Sequence, residues 1–189
     1  MKLKISISPA TFILLLCMIA TTPVRQLSAY LCAATLHELG HVIAAKMLRI
    51  DLAQIKLDVI GARLTTTGRL CSYHSLILLC FAGPLVNFLC FAPALLEIST
   101  NAWLAEFCLS NLSLGVLNLI PIEGFDGGRI LHAVLCKIFP LQTAERICGA
   151  LSFCALLSLW MLSVWLLLRT GSSLTLFVFS CCLFGMLFL

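Results

Sequence analysis

The most informative segment of this chain is Leu27–Leu48, which reads LSAYLCAATLHELGHVIAAKML. The stretch is apolar apart from a few side chains and is as long as a bilayer-crossing helix, which needs about 20 residues. His37, Glu38 and His41 stand in its middle. Two histidines four residues apart lie on one face of a helix, so both rings can bind a single metal ion, and the adjacent glutamate can reach a water on that ion.

The spacing HExxH is typical of zinc proteases, and a structural role is the alternative to weigh against it. In that alternative the two histidines form hydrogen bonds between helices and a neutral Glu38 packs among them. An ionisable side chain at the middle of a membrane costs about 2.5–3.5 kcal/mol, so three of them in this order favour metal binding. Catalytic zinc keeps three protein ligands and one position for water, so the site needs a third ligand from elsewhere in the chain.

The overall composition indicates a membrane protein. Of the 189 residues, 61% are hydrophobic and 11% are charged, whereas soluble domains carry about 25% charged residues. Apolar runs take up most of the length and leave no room for a soluble nucleotide-binding domain or a nucleic-acid-binding module. The eleven cysteines are odd in number and mostly lie in apolar runs, so we expect neither a disulfide framework nor a thiolate zinc site.

We expect an all-α polytopic membrane protein with about six transmembrane helices, in a single domain over residues 1–189. The expected spans are Pro9–Val24, Leu27–Leu48, His74–Ile98, Ala102–Ile120, Ala144–Leu168 and Ser172–Leu189. An even number of spans puts both termini on one side of the cell membrane. The positive-inside rule places that side in the cytoplasm, because ten of the twelve Lys and Arg residues then face inward and only Arg25 and Arg169 face outward.

Two segments between the expected spans are not simple loops. The first, Ile50–Leu70, alternates apolar and charged residues around Leu57 and contains Gly61, which predicts a short membrane-associated β-hairpin between the second and third spans. A strand edge there can hold an extended substrate, so proline at Leu57 or Val59 is expected to impair substrate cleavage more than zinc binding. The second segment, Asn118–Gly128, is rich in glycine and contains proline, which predicts irregular backbone buried in protein or lining a wet cavity.

Asp126, inside the second segment, is the candidate for the third ligand. Gly127 and Gly128 after it permit a close approach of the backbone. The alternative is that Asp126 is only the N-cap of a helix expected from about Arg129 to Phe139, which is a common role for aspartate. The residues alone leave both readings open.

Three motifs together resemble the site-2 proteases, a family of integral-membrane zinc metalloproteases, and within it the branch typified by stage IV sporulation protein FB. His37–His41 matches the HExxH motif of the family, Ala82–Asn87 matches its GPxxN segment, and Asn118–Arg129 matches its NxxPxxxxDGGR motif. Their order and separation agree with the family from Ser8 onward.

The resemblance implies one zinc ion per chain, bound by His37, His41 and Asp126. It also implies Glu38 as the general base and Asn118 close to the substrate or the oxyanion. The implied substrate is a membrane-embedded or membrane-associated protein, in the sporulation branch a transcription-factor precursor held in check by membrane inhibitor proteins. Partners are therefore membrane proteins and the lipid bilayer, with no nucleic acid.

The chain departs from the family at a few points. Gly124 and Phe125 replace the usual Pro-Leu before Asp-Gly-Gly, and Glu123 is a nearby second acid that competes for the metal or, as we favour, faces water. We expect neither the C-terminal CBS domain that many relatives of the sporulation type carry nor the inserted PDZ domain of other branches. Gly83 and Pro84 are expected to kink the third span, and Asn87 to form hydrogen bonds between helices or line the cavity.

Two other functions stay open from the sequence. A membrane metal transporter can also carry two histidines and an acid at mid-membrane, although the last two spans offer few polar groups for a pathway. A catalytically inactive relative acting as a membrane anchor would keep the same fold.

Overall fold

A computed structural model describes residues 5–7, 16–50, 52–58, 61–66, 72–92, 101–171 and 174–187. Within these ranges the chain is mainly helical, with three short strands near the N-terminal end. The elements in chain order are β1 (Ile5–Ile7), α1 (residues 16–21), α2 (Val24–Met47), β2 (Leu52–Asp58), β3 (Gly61–Thr66), α3 (Tyr73–Phe91), α4 (Ala102–Leu119), α5 (Asp126–Ile138), α6 (Leu141–Thr170) and α7 (Leu174–Leu187).

Three of these helices, α3, α4 and α6, are long and apolar enough to cross a membrane. A shorter apolar helix covers Leu174–Gly185. Helix α2 has 24 residues, but its charged side chains, Glu38 among them, lower its mean hydropathy. The expected count of six spans is therefore not confirmed for the described residues.

The three strands form one sheet in the order β1-β2-β3. Strands β2 and β3 are antiparallel, with Asp58 opposite Gly61, and both lie inside the Ile50–Leu70 segment. Strand β1 pairs in parallel with the other edge of β2. The sequence did not predict β1, because three residues are too few to show the alternation of apolar and polar side chains that marks a strand. Val59 lies outside the described residues, and membrane association of the sheet stays a prediction.

Helices α2, α3 and α4 pack side by side through small residues. A Cβ added to Gly40 of α2 would stand 2.8 Å from the carbonyl oxygen of Ala82 in α3, and a Cβ added to Gly115 of α4 would stand 3.3 Å from the Cβ of Asn87 in α3. Such contacts bring backbones close, which is how helices associate in lipid, where burial of apolar surface supplies little driving force.

The first turns of α2 and α4 are joined by polar contacts. Arg25 of α2 forms an ion pair of 2.7 Å with Glu106 of α4, and the indole of Trp103 donates a hydrogen bond of 3.0 Å to the hydroxyl of Ser28. Because both contacts join N-terminal ends, α2 and α4 run in the same direction across the bundle.

Candidate metal centre

His37 and His41 project from one face of α2 into the bundle. Both are nearly buried, with 4% and 5% of their surface exposed. Their Nε2 atoms are 3.2 Å apart, although the two rings are almost perpendicular. The convergence expected from the spacing of four residues is thus present in the structure.

Asp126 meets the two histidines from the other side. Its Oδ2 atom lies 3.2 Å from the Nε2 atom of His37 and 3.2 Å from that of His41. Asp126 is the first residue of α5, and Phe125 occupies the N-cap position without a side-chain cap. The interpretation of Asp126 as an N-cap is therefore wrong. Helix α5 begins at Asp126, three residues before the expected start at Arg129, and the Asp126 carboxylate belongs to its first turn.

The other ring nitrogens are held by hydrogen-bond acceptors. Nδ1 of His41 donates to the backbone carbonyl of Leu79 at 2.8 Å. Nδ1 of His37 donates to Oδ1 of Asn87 at 2.5 Å, because the amide nitrogen of Asn87 is already directed at the carbonyl of Ala33. Both histidines are therefore held through Nδ1, and Nε2 is the ring atom that each of them directs at Asp126.

The three converging atoms fit a tetrahedral metal ion. Oδ2 of Asp126 is buried without a hydrogen-bond partner among the described residues, and a cation between the three atoms would satisfy it. Zinc bonds of about 2.0–2.1 Å put tetrahedral ligands about 3.3–3.4 Å apart, close to the three separations of 3.2 Å. His37, His41 and Asp126 can thus hold a metal ion.

Gly83 of α3 lies directly against the two histidine rings. A Cβ at this position would stand 2.4 Å from Nε2 of His41 and 2.8 Å from Cε1 of His37, and neither distance is one that real Cβ atoms adopt. The sequence predicts a kink of α3 at Gly83 and Pro84. The glycine instead makes room for the rings, and the kink stays a prediction.

Asp126 is held in place by the irregular segment before it. A Cβ on Gly127 would stand 2.2 Å from the carbonyl oxygen of Leu119, and a Cβ on Gly128 the same distance from that of Ile122, so the expected close approach is confirmed. Ser152 of α6, which is 1% exposed, accepts a hydrogen bond from the backbone nitrogen of Glu123 at 2.9 Å and donates one to a carbonyl of the same segment. Irregular backbone inside a membrane protein needs such partners.

The other candidate residues lie around this group of three. Glu38 is half-buried and interacts electrostatically with His41. Asn118 is 9% exposed, and its Nδ2 donates to the carbonyl of Leu114 in its own helix at 3.1 Å. Glu123 is exposed, and among the described residues neither it nor Asn118 belongs to the group that can hold a metal.

Comparisons with known proteins point to one family. The family model of Peptidase family M50 matches residues 93–162. Stage IV sporulation protein FB of Bacillus subtilis is 29% identical over 171 residues, which make up 86% of this chain and 59% of that protein. A zinc metalloprotease of Methanocaldococcus jannaschii is 34% identical over 127 residues, which make up 61% of this chain and 35% of the relative. The chain thus spans less than two thirds of the length of either relative.

The fold leads to the same family. The solved site-2 protease from Methanocaldococcus jannaschii superimposes with a TM-score of 0.69 over 99% of this chain and 90% of that one, at 25% identity. The chain is a relative of the site-2 proteases of peptidase family M50. The resemblance that the motifs indicate is confirmed, and the chain is a membrane protein.

In this site-2 protease relative, Gly124 and Phe125 stand before Asp126 where the family usually has Pro-Leu, and both have a structural role. Gly124 has φ of +101°, a backbone conformation that favours glycine. Phe125 is 3% exposed and stacks on Phe179 of α7, with ring centroids 6.4 Å apart. The Gly-Phe pair therefore turns the backbone and anchors the segment to α7 by packing.

The expected hydrogen bonds of Asn87 between helices are confirmed, but the sequence did not indicate that His37 is its partner or that Gly83 makes room for the rings. A signal was present, since Gly83 and Asn87 are four residues apart and must share a face of α3. It could not be used without knowing which face of α3 meets α2. That contact depends on the packing of the two helices and has no local marker.

Proposed function

We propose that this chain is an intramembrane zinc metalloprotease, which hydrolyses a peptide bond of a membrane-embedded or membrane-associated protein in regulated proteolysis. The observation that supports it is the triangle of acceptor atoms from His37, His41 and Asp126, each 3.2 Å from the others, with Glu38 on the adjacent position of the same helix. Similarity to the M50 family supports zinc as the metal and one ion per chain.

In this proposal each residue has a separate task. His37, His41 and Asp126 hold the metal, which when bound supplies Lewis acidity to a water and to a peptide carbonyl. Glu38 takes a proton from the attacking water and passes it to the leaving amine. Asn118 contributes a hydrogen-bond donor for the developing negative charge on the carbonyl oxygen, once its amide leaves the carbonyl of Leu114.

We further propose a multi-pass topology of six spans with cytoplasmic termini. Helices α2 and α7 and the segment containing α1 then cross the membrane in addition to α3, α4 and α6. The charge asymmetry of the sequence supports this orientation. The Arg25–Glu106 ion pair supports it as well, because spans two and four must run in the same direction. Along α2 the metal site is 12 residues from Arg25, or about 18 Å.

The sheet is the proposed place for an extended substrate segment, since a transmembrane helix hides its peptide bonds in its own hydrogen bonds. Strand β2 is central, so β3 offers a free edge among the described strands. Leu57 pairs with Ile7 on one side and Ala62 on the other, and proline there removes a backbone donor from the sheet. The Leu57→Pro variant is expected to lose cleavage while keeping its zinc, and unchanged cleavage would contradict this role.

The substrate class and regulators follow from similarity alone. Stage IV sporulation protein FB of Bacillus subtilis matches 86% of this chain. We propose on that basis a membrane-associated precursor of a transcription factor as substrate, with membrane inhibitor proteins as regulators.

The Glu38→Gln variant tests the proposed function. It keeps the size of the side chain and one acceptor oxygen but cannot take a proton. Wild type and variant are purified in detergent, their zinc is measured, and a tagged single-span membrane reporter is added to each. We expect one zinc in both and cleavage by wild type only. Equal cleavage by the variant would overturn the role of Glu38, and zinc without any cleavage would favour an inactive relative.

A further inference from the structure

A chain of buried hydrogen bonds joins α4 to the metal site through α3. Nδ2 of Asn111 donates to the carbonyl of Phe107 at 2.8 Å, which turns its Oδ1 toward Asn87. Nδ2 of Asn87 donates to that oxygen at 2.9 Å and to the carbonyl of Ala33 at 3.3 Å. Oδ1 of Asn87 then accepts from Nδ1 of His37 at 2.5 Å. Both asparagines are 0% exposed.

Each asparagine in this series of hydrogen bonds is anchored by a backbone carbonyl. Backbone carbonyls can only accept, so the carbonyls of Phe107 and Ala33 decide which atom of each amide is the donor. If the Asn87 amide were reversed, its nitrogen would face Nδ1 of His37 and would favour the tautomer with the proton on Nε2. That proton would point at Asp126, where a metal ligand must present a lone pair.

From this geometry we infer that Asn111 is a positioning residue for the metal site. It acts through Asn87, whose Oδ1 holds Nδ1 of His37 and so keeps Nε2 of that ring aimed at the metal site. The inference rests on the proposed metal site and adds a residue of α4 to it. Two fully buried asparagines are costly in an apolar bundle, and packing alone would be served by leucine.

A double-mutant cycle on zinc affinity tests the inference. Asn87→Leu, Asn111→Leu and the double variant are made in the full chain, and each purified protein competes with a chelator for zinc. Leucine is close to asparagine in size and suits a membrane helix, so folding is retained. We expect Asn87→Leu to weaken zinc binding about 10–100-fold. Asn111→Leu should weaken it less, and the double variant no more than Asn87→Leu alone.

Two further variants separate positioning from a general loss of packing. Asn111→Asp, neutral in the bundle, can still donate to Phe107 and accept from Asn87, so it should keep the affinity of wild type. Ser180→Ala removes a buried hydrogen bond of 2.9 Å to Ser163 between α6 and α7 and should leave zinc binding unchanged. Additive losses in the cycle, or wild-type affinity in Asn111→Leu, would overturn the inference.

The hydrogen bond at Nδ1 of His37 supplies a readout that needs no substrate. In zinc-loaded protein labelled with ¹⁵N at histidine, the Nδ1 proton of His37 is bonded to Asn87, and Asn111→Leu should shift its resonance. An unchanged resonance in the variant would refute the inference. If wild type keeps its zinc but cleaves no reporter, the protease proposal fails while the positioning role is still decided by zinc affinity.

Discussion

The close approach of Gly83 to the histidine rings makes Gly83→Ala the most informative single substitution in this protein. The added Cβ would stand 2.4 Å from Nε2 of His41. The ring must retreat by about 1 Å to reach ordinary contact with carbon. The His41 ring is restrained against this movement, because its Nδ1 is hydrogen-bonded to the carbonyl of Leu79, one turn before Gly83 in α3.

The expected effect on metal binding is large. Metal–ligand distances tolerate changes of only about 0.2 Å, so a shift of this size removes His41 from a ligand position. Changes to residues that merely support a ligand cost about 10–100-fold in affinity. We therefore expect Gly83→Ala to bind zinc at least about 100-fold more weakly, which corresponds to about 2.7 kcal/mol.

Chelator competition on detergent-purified protein measures this loss, and Gly149→Ala is the matched control. Gly149 lies inside α6, and a Cβ there meets nothing within 4 Å. Alanine is also the better helix former, so the control should be at least as stable as wild type with unchanged zinc affinity. Wild-type zinc affinity in folded Gly83→Ala would refute the argument that this glycine makes room for the metal ligands.

Three further predictions concern the segment around Asp126 and the metal. Asp126→Ala should lose zinc on elemental analysis while Glu123→Ala keeps it, and the opposite pattern would assign the third ligand to Glu123. Ser152→Ala leaves the carbonyl of Pro121 and the amide of Glu123 without their hydrogen-bond partner, so it should lower the free energy of unfolding by about 1–3 kcal/mol. Ser158→Ala, on an exposed face of the same helix, should not lower it, and equal melting temperatures of the two variants would contradict this prediction. Chelation of zinc from wild type should lower Tm and added zinc should restore it, because a ligand bound only by the folded state stabilises that state; a Tm insensitive to zinc would argue against a bound metal.

The convergence of the two histidines was predictable because it depends only on their spacing along one helix. Residues four apart on a helix share a face whatever the helix packs against, so His37 and His41 were expected to converge before any fold was known. The close backbone approach at Gly127 and Gly128 was likewise expected from the residue type. Composition alone placed the chain in a membrane, since its charged fraction is 11%.

The role of Asp126 was open in the sequence because an aspartate before two glycines suits a cap as well as a ligand. In the structure Asp126 is the first residue of α5 and not its N-cap, and its Oδ2 lies 3.2 Å from Nε2 of each histidine. Ser152 is a second case, since nothing local marks which serine of an apolar helix will meet a distant loop.

Composition and motif spacing therefore predicted the membrane class, the convergence of the paired histidines and the family that the motifs resemble. The groups that surround those histidines are known from the packing of the helices: Asn87 lies behind His37, Gly83 against both rings, and Asp126 opposite them. The physical reason is that motif spacing is a property of one helix. The meeting of two helices depends on how closely their backbones approach and in which register, and residues far apart in the chain fix both.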